Sequence, residues 1–317
     1  MLIYTVLFIW LLLIQFVRKN KLVYICTYFF LLLLGGFRGV DVGTDTNNYQ
    51  EIYETLHNDA AVSYVMTQVE PFWVLLNILV INLYDNFQII IFLGIFGAIT
   101  PVFIRLWKSC DHPYVGVLFY VLLYYYFSSY NIVRQMIAVS IIFYSYPFWD
   151  NGKYSKAYIC TIVATLFHIT AIFAIFIPLL KKIKLQIPLI IFLLPITYVL
   201  GVVVMPHIIP LLPLGGKFVL YLESDSGASF SITRLLLNVF FVVLVVASRG
   251  EGKDLYFKML LVGILCYNLF PFHPALGRSA LFFMFSQLII YSNLARYKLN
   301  SISVVIIILS YGLFYYY

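Results

Sequence analysis

The chain has 317 residues, of which 63% are hydrophobic and only 10% are charged. Soluble domains carry roughly 25% charged residues, so this composition excludes a soluble globular protein and indicates a single polytopic membrane domain over residues 1–317. The formal net charge is +7, which we attribute to positive residues in cytoplasmic loops rather than to nucleic-acid binding. The four cysteines show no CxxC spacing, and we expect them to pack within lipid-buried helices.

Apolar segments recur along the chain at lengths near the ~20 residues that a membrane-spanning helix needs. They lie at residues 2–17, 22–37, 70–84, 87–104, 113–128, 132–149, 157–180, 187–205, 233–248, 255–271, 279–295 and 301–317. Because several are short, we predict an all-α polytopic membrane protein with about 10–12 transmembrane helices, some of them short or re-entrant. External loops are expected near 38–69 and 206–232.

Clusters of lysine and arginine distinguish two threadings of these segments, because cytoplasmic loops are enriched in both residues. If every segment crosses, the basic residues at 105–108 and 153–156 fall outside. If 70–84 does not fully cross, and 157–180 enters and returns with a turn near His168, every cluster faces the cytoplasm. We favour the second threading and keep the first as its alternative.

The favoured threading leaves five of the 20 basic residues outside. They are Arg38, Arg134, Lys217, Arg234 and Arg278. The four arginines lie at or just inside the outer ends of apolar segments, where snorkelling is the ordinary explanation. An arginine within a span costs about 2.5–3.5 kcal/mol, however, and positive residues favour the cytoplasmic side. We therefore expect the four arginines to share an anionic partner.

Polar residues are concentrated in the stretch FRGVDVGTDTNNYQ at 37–50, directly after an apolar segment. The guanidinium of Arg38 suits a phosphate, and Asp45 is a candidate to deprotonate a sugar hydroxyl. Asp45 or Thr44 is equally suited to cap a helix that starts here. Tyr49 is a candidate sugar contact.

Three further sites in the apolar segments carry polar side chains. Arg134 and Gln135 open a helix, where the helix dipole disfavours an arginine. His168 is the sole side chain in the apolar run 157–180 that titrates near neutral pH, which makes it either a proton-transfer candidate or a buried structural histidine. Glu70 is either a helix-start carboxylate favoured by the dipole or a substrate contact.

The corner FPFHPALGR at 270–278 holds His273 and Arg278 between prolines that end the preceding helix. The stretch 215–234 is rich in glycine and serine and is either a lid over a glycan or a plain loop. No nucleotide-binding glycine motif or zinc-ligand spacing occurs in the sequence. We therefore expect no metal and no organic cofactor.

Four short motifs, taken in their order, resemble the EpsG family of bacterial exopolysaccharide proteins. They are Arg-x-x-x-x-Gly-Thr-Asp-Thr-x-x-Tyr at Arg38–Tyr49, Arg-Gln-x-x-Ala at Arg134–Ala138, His-x-x-Ala at His168–Ala171, and the pair Gly277–Arg278. The resemblance covers essentially the whole chain, and the loop 206–232 follows the family pattern least.

The resemblance implies a GT-C-like glycosyltransferase, a Wzy-type O-antigen or capsule polymerase acting on the outer, periplasmic face of the bacterial cytoplasmic (inner) membrane. Its substrate would be an undecaprenyl-pyrophosphate-linked oligosaccharide held in membrane lipid, with a chain-length regulator protein as a partner. The candidate catalytic residues are Asp45, His168, Arg38 and Arg134, and Asp45 is ranked before His168 as the base. The candidate substrate contacts are Arg234, Arg278, Tyr49, Thr44, Gln135, Glu70 and His273.

Two other functions fit parts of the pattern. A flippase for lipid-linked oligosaccharides would also attract arginines, but along a transmembrane path rather than at one face. An acyltransferase would need a histidine-rich cytoplasmic site, and the favoured threading places only His112 on that side. Polymerisation is therefore the first interpretation and the flippase is the alternative.

Overall fold

The computed structural model describes residues 2–184, 186–208, 231–248, 254–271 and 274–293. Over these ranges the secondary structure is entirely helical, without a strand, which confirms the predicted all-helical class. The chain divides into two compact units, Met1–Ile175 and Phe176–Tyr317. A single membrane domain stays a prediction. The last apolar segment, 301–317, lies outside the described residues.

The first unit contains, in chain order, α1 (Leu2–Leu13), α2 (Lys21–Gly36), α3 (Thr46–Thr55), α4 (Asp59–Gln68), α5 (Pro71–Leu83), α6 (Phe87–Ser109), α7 (Pro113–Leu122), α8 (Tyr125–Asn131), α9 (Val133–Asp150) and α10 (Tyr154–Phe167). A 3₁₀ turn at Ile14–Phe16 extends α1, and a 3₁₀ segment at Ile169–Phe176 follows α10.

The second unit contains α11 (Ile177–Leu180), α12 (Ile187–Val199), α13 (Met205–Ile208), α14 (Ile232–Ala247), α15 (Leu255–Leu269), α16 (Pro274–Arg278), α17 (Leu281–Met284) and α18 (Ser286–Ser292). A π-helical turn at Leu200–Val204 joins α12 to α13. Most of the predicted external loop 206–232 lies outside the described residues.

Two helices in the described part of the chain, Phe87–Ser109 and Ile187–Ile208, are long and apolar enough to cross a membrane. The other apolar helices have 10–17 residues. The 13 residues of α5 extend about 20 Å, less than the ~30 Å of a bilayer's hydrocarbon core. These helices are consistent with a membrane protein, and the predicted number of crossings stays a prediction.

Two predicted apolar segments are interrupted in the structure. In 113–128, α7 ends at Leu122 and α8 begins at Tyr125, because Tyr124 adopts the left-handed conformation with φ +63°. In 157–180, α10 ends at Phe167 and His168 is extended. The break predicted near His168 is therefore present, and a return of the chain to the same membrane face stays a prediction.

Close packing of α6 against α9 positions the start of α9. A Cβ added at Gly94 of α6 would lie 2.7 Å from Cγ1 of Val133, so the glycine lets the two backbones approach. Further along, the hydroxyl of Ser140 donates to the carbonyl of Ala98. These contacts hold the first turn of α9, which carries Arg134, against a rigid neighbour.

The predicted external loop 38–69 contains two helices, α3 and α4. The first starts at Thr46, where the capping alternative placed a helix start, although the Asp45 side chain makes no capping bond. The second, α4, was not predicted. Gln88 of α6 donates through Nε2 to the carbonyl oxygens of Gly36 at 2.7 Å and Arg38 at 3.3 Å. The beginning of this connection is thereby attached to α6.

Candidate active site

Glu70 is the centre of an ionic cluster in the first unit. Its Oε2 pairs with the guanidinium of Arg134, and its Oε1 lies 3.0 Å from Nδ1 of His168. The same Oε1 accepts the backbone N–H of Ile169 at 3.4 Å. Three of the residues predicted for the site are therefore brought together.

Helix ends explain how the cluster forms. Pro71 starts α5, so Glu70 occupies its N-cap position with an extended backbone, and its side chain makes no capping bond. Arg134 lies in the first turn of α9, and His168 ends α10. The positive end of the α9 dipole disfavours Arg134, and the carboxylate of Glu70 offsets that penalty. The Glu70 side chain therefore binds Arg134 and His168 and does not cap its own helix.

The cluster is half-buried, with side-chain exposures of 16% for Glu70, 23% for His168 and 24% for Arg134. Burial raises the pKa of the Glu70 carboxyl, but the hydrogen bond from His168 and the charge of Arg134 outweigh it and hold the pKa at about 2. Glu70 is thus ionised and only accepts hydrogen bonds. Nδ1 of His168 therefore carries a proton, and in the neutral ring Nε2 has a lone pair.

Tyr49 connects α3 to this cluster. The guanidinium of Arg134 lies 6.0 Å from the centre of the Tyr49 ring, within the range of a cation–π contact. The ring also packs edge-on against Trp73 at 5.3 Å between centroids. Burial raises the pKa of Tyr49, and nearby Arg134 partly offsets this. α3 therefore adds an aromatic wall to the site.

Arg38 is buried, and backbone carbonyls accept from both terminal nitrogens of its guanidinium, while its Nε–H has no hydrogen-bond partner among the described residues. Nη1 donates to the carbonyl of Val42, Nη2 donates to the carbonyl of Tyr130 at 2.9 Å, and the group lies 4.8 Å from the Tyr130 ring centre. Burial lowers the pKa of Arg38, and the neighbouring tyrosines oppose that shift. The residue predicted to hold phosphate thus fixes the turn after α2 onto α8.

Gly43 makes the contact of Arg38 with the turn possible. Its φ is +102°, and a Cβ there would lie 2.5 Å from Nη1 of Arg38 and 2.7 Å from the carbonyl oxygen of Tyr130. Both the left-handed backbone and the close approach require glycine. The structure of this turn therefore explains why the Gly-Thr-Asp-Thr motif begins with glycine.

Thr44 and Asp45 lie on the rim of this turn. The backbone N–H of Thr44 donates to Oδ1 of Asn131 at 2.7 Å, and its hydroxyl donates to Oδ1 of Asp45 at 3.2 Å. Asp45 occupies the N-cap position of α3, but its side chain makes no capping bond. Asp45 therefore stands at the capping position of α3, but capping does not account for the role of its carboxylate.

Arg234 lies in the second unit, in the first turn of α14. Its Nη2 donates to the carbonyl of Pro271 at 3.1 Å, and the guanidinium is 5.0 Å from the ring centre of Tyr267. Like Arg38, it combines a backbone acceptor with an aromatic face.

The structure describes two of the remaining predicted residues, Gln135 and Arg278. Arg278 ends α16 in the second unit and is exposed, and Gln135 is buried in α9. His273 and most of the loop 206–232 lie outside the described residues. Within the described ranges, no group of three or more His, Cys, Asp or Glu side chains is arranged to hold a metal ion.

A second polar cluster lies near α3 and was not predicted from the sequence. Nε2 of His57 lies 2.7 Å from Oδ1 of Asp85, and the hydroxyl of Tyr53 donates to the same oxygen at 3.1 Å. Asp85 has φ +44° in the turn between α5 and α6. A contact across 28 positions between two exposed side chains has no sequence signature. It attaches the end of α3 to that turn.

Comparison with known families decides the class of protein. The model of the EpsG family matches residues 21–317. The chain belongs to the EpsG family. The predicted resemblance is thereby confirmed, and EpsG is a family of Wzy-like polymerases. No curated protein and no solved structure was found to match the chain.

Membership of the EpsG family has a direct functional meaning. It indicates a polysaccharide polymerase-type function with glycosyltransferase-like chemistry and, in general, a lipid-linked saccharide substrate. In this EpsG chain, three of the four ordered motifs contribute to the site. Arg134 and His168 contact Glu70, and the Arg38–Tyr49 motif supplies Tyr49, whose ring lies beside Arg134.

Proposed function

We propose that this protein is a bacterial O-antigen or capsule polymerase. It transfers a growing glycan from undecaprenyl pyrophosphate to the next lipid-linked repeat unit on the outer face of the cytoplasmic membrane. The observation that carries the proposal is the Glu70–His168 hydrogen bond beside Arg134. This arrangement couples a proton acceptor to a positive charge in a half-buried site, as transfer from a pyrophosphate requires.

His168 is the proposed general base. Its Nδ1–H donates to Glu70, so Nε2 is the nitrogen that takes the proton from the acceptor hydroxyl. Glu70 fixes the tautomer and ring orientation, and its negative charge stabilises the imidazolium that forms, as a carboxylate does beside other catalytic histidines. Glu70 is thus a positioning residue, and His168 is the catalytic one.

One bond forms and one breaks in the transfer. The acceptor oxygen gives its proton to Nε2 of His168 and bonds to the anomeric carbon of the donor sugar. The bond from that carbon to the phosphate oxygen breaks, and the lipid pyrophosphate leaves with the electron pair. The imidazolium then returns its proton to the departing phosphate or to water.

Positive side chains stabilise the leaving pyrophosphate in this proposal. Arg134 shares Glu70 with the base, and its buried Nε–H has no hydrogen-bond partner among the described residues. Arg234 and Arg278 keep their predicted role as substrate contacts. Arg38 acts indirectly, since its Nη donors already bind backbone carbonyls.

Asp45 was ranked before His168 as the base, and we now reverse that order. Asp45 accepts a bond from the hydroxyl of Thr44, whereas His168 has a carboxylate that orients it. A base whose orientation is fixed contributes more to proton transfer than a mobile one. Asp45 and Tyr49 are left as contacts for the sugar.

The test is polymer formation by purified protein in lipid nanodiscs supplied with a synthetic lipid-linked repeat unit. Wild type should give a ladder of products on gels, and His168→Ala should reduce the rate by about 10²–10⁴-fold. His112→Ala is the matched control, because His112 is an exposed histidine in the same unit and should retain full activity.

Two outcomes would overturn the proposal. A full ladder from a folded His168→Ala variant would remove His168 as the base. Absence of any ladder from folded wild type, together with transport of the lipid-linked unit across liposome membranes, would favour a flippase. A ladder that appears only after a chain-length regulator is added would support the proposed partner.

A further inference from the structure

A groove of about 500 Å³ lies on the surface of the first unit between α2 and α6. Among the residues that line it are Lys21, Tyr24, Tyr28, Phe103, Trp107 and Lys108. None of the lining residues is acidic. The groove thus combines an apolar, aromatic floor with two positive charges.

The floor is built so that its tyrosines present ring surface. The hydroxyl of Tyr24 donates to the carbonyl of Phe103 at 2.8 Å, and the hydroxyl of Tyr28 is 2.8 Å from Oγ1 of Thr100. The Tyr24 ring packs at 5.1 Å from Phe103 and 5.0 Å from Trp107. Because the hydroxyls are satisfied internally, the surface left in the groove suits a hydrocarbon chain.

The two lysines of the rim are exposed and come from opposite helix ends. Lys108 lies in the last turn of α6, where the helix dipole favours a positive charge. Lys21 is the first residue of α2, where the dipole disfavours one, so helix stability does not explain it. Lys19, 5.0 Å from the ring centre of Trp107, adds a third charge at this end.

The groove lies at the opposite end of α2 and α6 from the proposed active site. Lys21 begins α2, whereas Arg38 follows its other end. Gln88, near the start of α6, contacts that Arg38 end, whereas Lys108 closes α6. Clusters of lysine favour the cytoplasmic side of a membrane, so the groove opens toward the inner leaflet while the glycan chemistry takes place outside.

We propose that the groove binds one anionic phospholipid of the inner leaflet. Its headgroup phosphate lies between Lys21 and Lys108, and an acyl chain lies along Tyr24 and Phe103. Basic pockets between membrane helices on the cytoplasmic side recognise anionic headgroups in this way, and tryptophan and tyrosine prefer the headgroup level. The position of the groove, far from Glu70, separates this lipid from the proposed glycan carrier.

Native mass spectrometry of the detergent-purified protein tests the site, with phosphatidylglycerol and phosphatidylcholine as the two probes. Wild type should retain one phosphatidylglycerol, with a preference over phosphatidylcholine of about tenfold. The double variant Lys21→Gln/Lys108→Gln should lose that preference. The control Lys153→Gln/Lys156→Gln removes the same charge from two exposed lysines elsewhere and should keep it.

A second pair of variants tests the apolar part without changing charge. Ile104 lines the groove, so Ile104→Trp should weaken binding of both lipids by roughly tenfold. Leu22→Trp is the control, because Leu22 is 69% exposed and does not line the groove. Equal loss in the two lysine doubles, or equal binding by both tryptophan variants, would overturn the proposal. Neither result depends on polymerase activity.

Discussion

Glu70 and His168 are 98 positions apart in the chain, yet Oε1 of the carboxylate lies 3.0 Å from Nδ1 of the imidazole. The second carboxylate oxygen is held by Arg134, so Glu70 is fixed at both oxygens. The imidazole is therefore held with Nε2 directed away from Glu70. This fixed pair is what distinguishes His168 from the other candidate bases.

Glu70→Gln should separate positioning from proton transfer. A glutamine keeps the size of the side chain but not its charge, so the imidazolium loses its stabilisation and Arg134 loses its counter-charge. We expect a fall in the polymerisation rate of about 10²–10⁴-fold and a loss of stability of about 2 kcal/mol. Initial rates and thermal unfolding measure the two effects.

The control for that change is Glu51→Gln, which removes an exposed carboxylate from α3. Its rate and unfolding temperature should match wild type. If Glu70→Gln behaved like this control in both measurements, the ion pair would have no role in catalysis or stability.

Arg134→Lys keeps one positive charge but removes the planar group that lies over Tyr49. An ammonium is able to pair with Glu70 but cannot also stack on the ring and offer a second donor to phosphate. We expect the rate to fall by about 10²-fold or more, with little change in thermal unfolding. Arg134→Lys activity equal to wild type would argue against a role for the guanidinium in binding pyrophosphate.

Arg38→Lys should lower stability more than rate, the reverse of what we expect for Arg134→Lys. The two carbonyls that receive its Nη groups would share one shorter donor, so the turn at 38–46 would loosen. We expect destabilisation of about 1–2 kcal/mol and a moderate rise in the substrate concentration needed for half-maximal rate. A severe loss of rate with unchanged stability would instead return Arg38 to the original prediction, in which it contacts the phosphate directly.

Gly43→Ala should disrupt the turn on which Arg38 and α3 depend. The φ of +102° and the 2.5 Å approach to Arg38 each oppose a side chain, and together we expect a loss of about 2–3 kcal/mol. Gly39→Ala is the control, because a Cβ at Gly39 meets no heavy atom within 4 Å. Thermal unfolding in detergent compares them, and equal midpoints would show that the turn relaxes freely.

The His57–Asp85 contact predicts a pH dependence of stability. The hydrogen bond to Asp85 raises the pKa of His57, and the same bond lowers the pKa of Asp85. The His57 contribution is fully present below its ordinary pKa near 6.5 and is lost as the pH rises through the raised value. The Asp85 contribution is present above its ordinary pKa near 3.8 and is lost as the pH falls through the lowered value.

The difference in unfolding temperature between wild type and His57→Asn should therefore be larger at a pH of about 5.5 than at about 8.5. A constant difference for His57→Asn would mean that the contact does not depend on the charge of the histidine.

A helix was predictable from the sequence where one long apolar run covers its whole length. The segment 22–37 corresponds to α2 at Lys21–Gly36, because burial of one continuous run dominates local preferences. The break at Tyr124 was not predictable, since no glycine or proline marks it. Its left-handed backbone is accompanied by packing among aromatic residues, in which the rings of Tyr124 and Phe127 lie tilted with centroids 5.4 Å apart.

The members of the site were predictable, but their pairing was not. Glu70, Arg134 and His168 were each identified because a charged or ionisable group in apolar surroundings is costly and is therefore a candidate for function. Which of them meet depends on where three helices end, and that is a property of tertiary packing. Arg38 illustrates the limit, since nothing in the sequence distinguishes an arginine that binds phosphate from one that binds the backbone.

The partial exposure of His168, at 23% of its side chain, has a consequence for the fidelity of the reaction. Under the proposed mechanism, water at the exposed part of the ring competes with the sugar hydroxyl to give its proton to His168. Water is then a competing acceptor whenever the second lipid-linked unit is absent. The proposal therefore predicts slow hydrolysis that releases free oligosaccharide and consumes the lipid-linked donor.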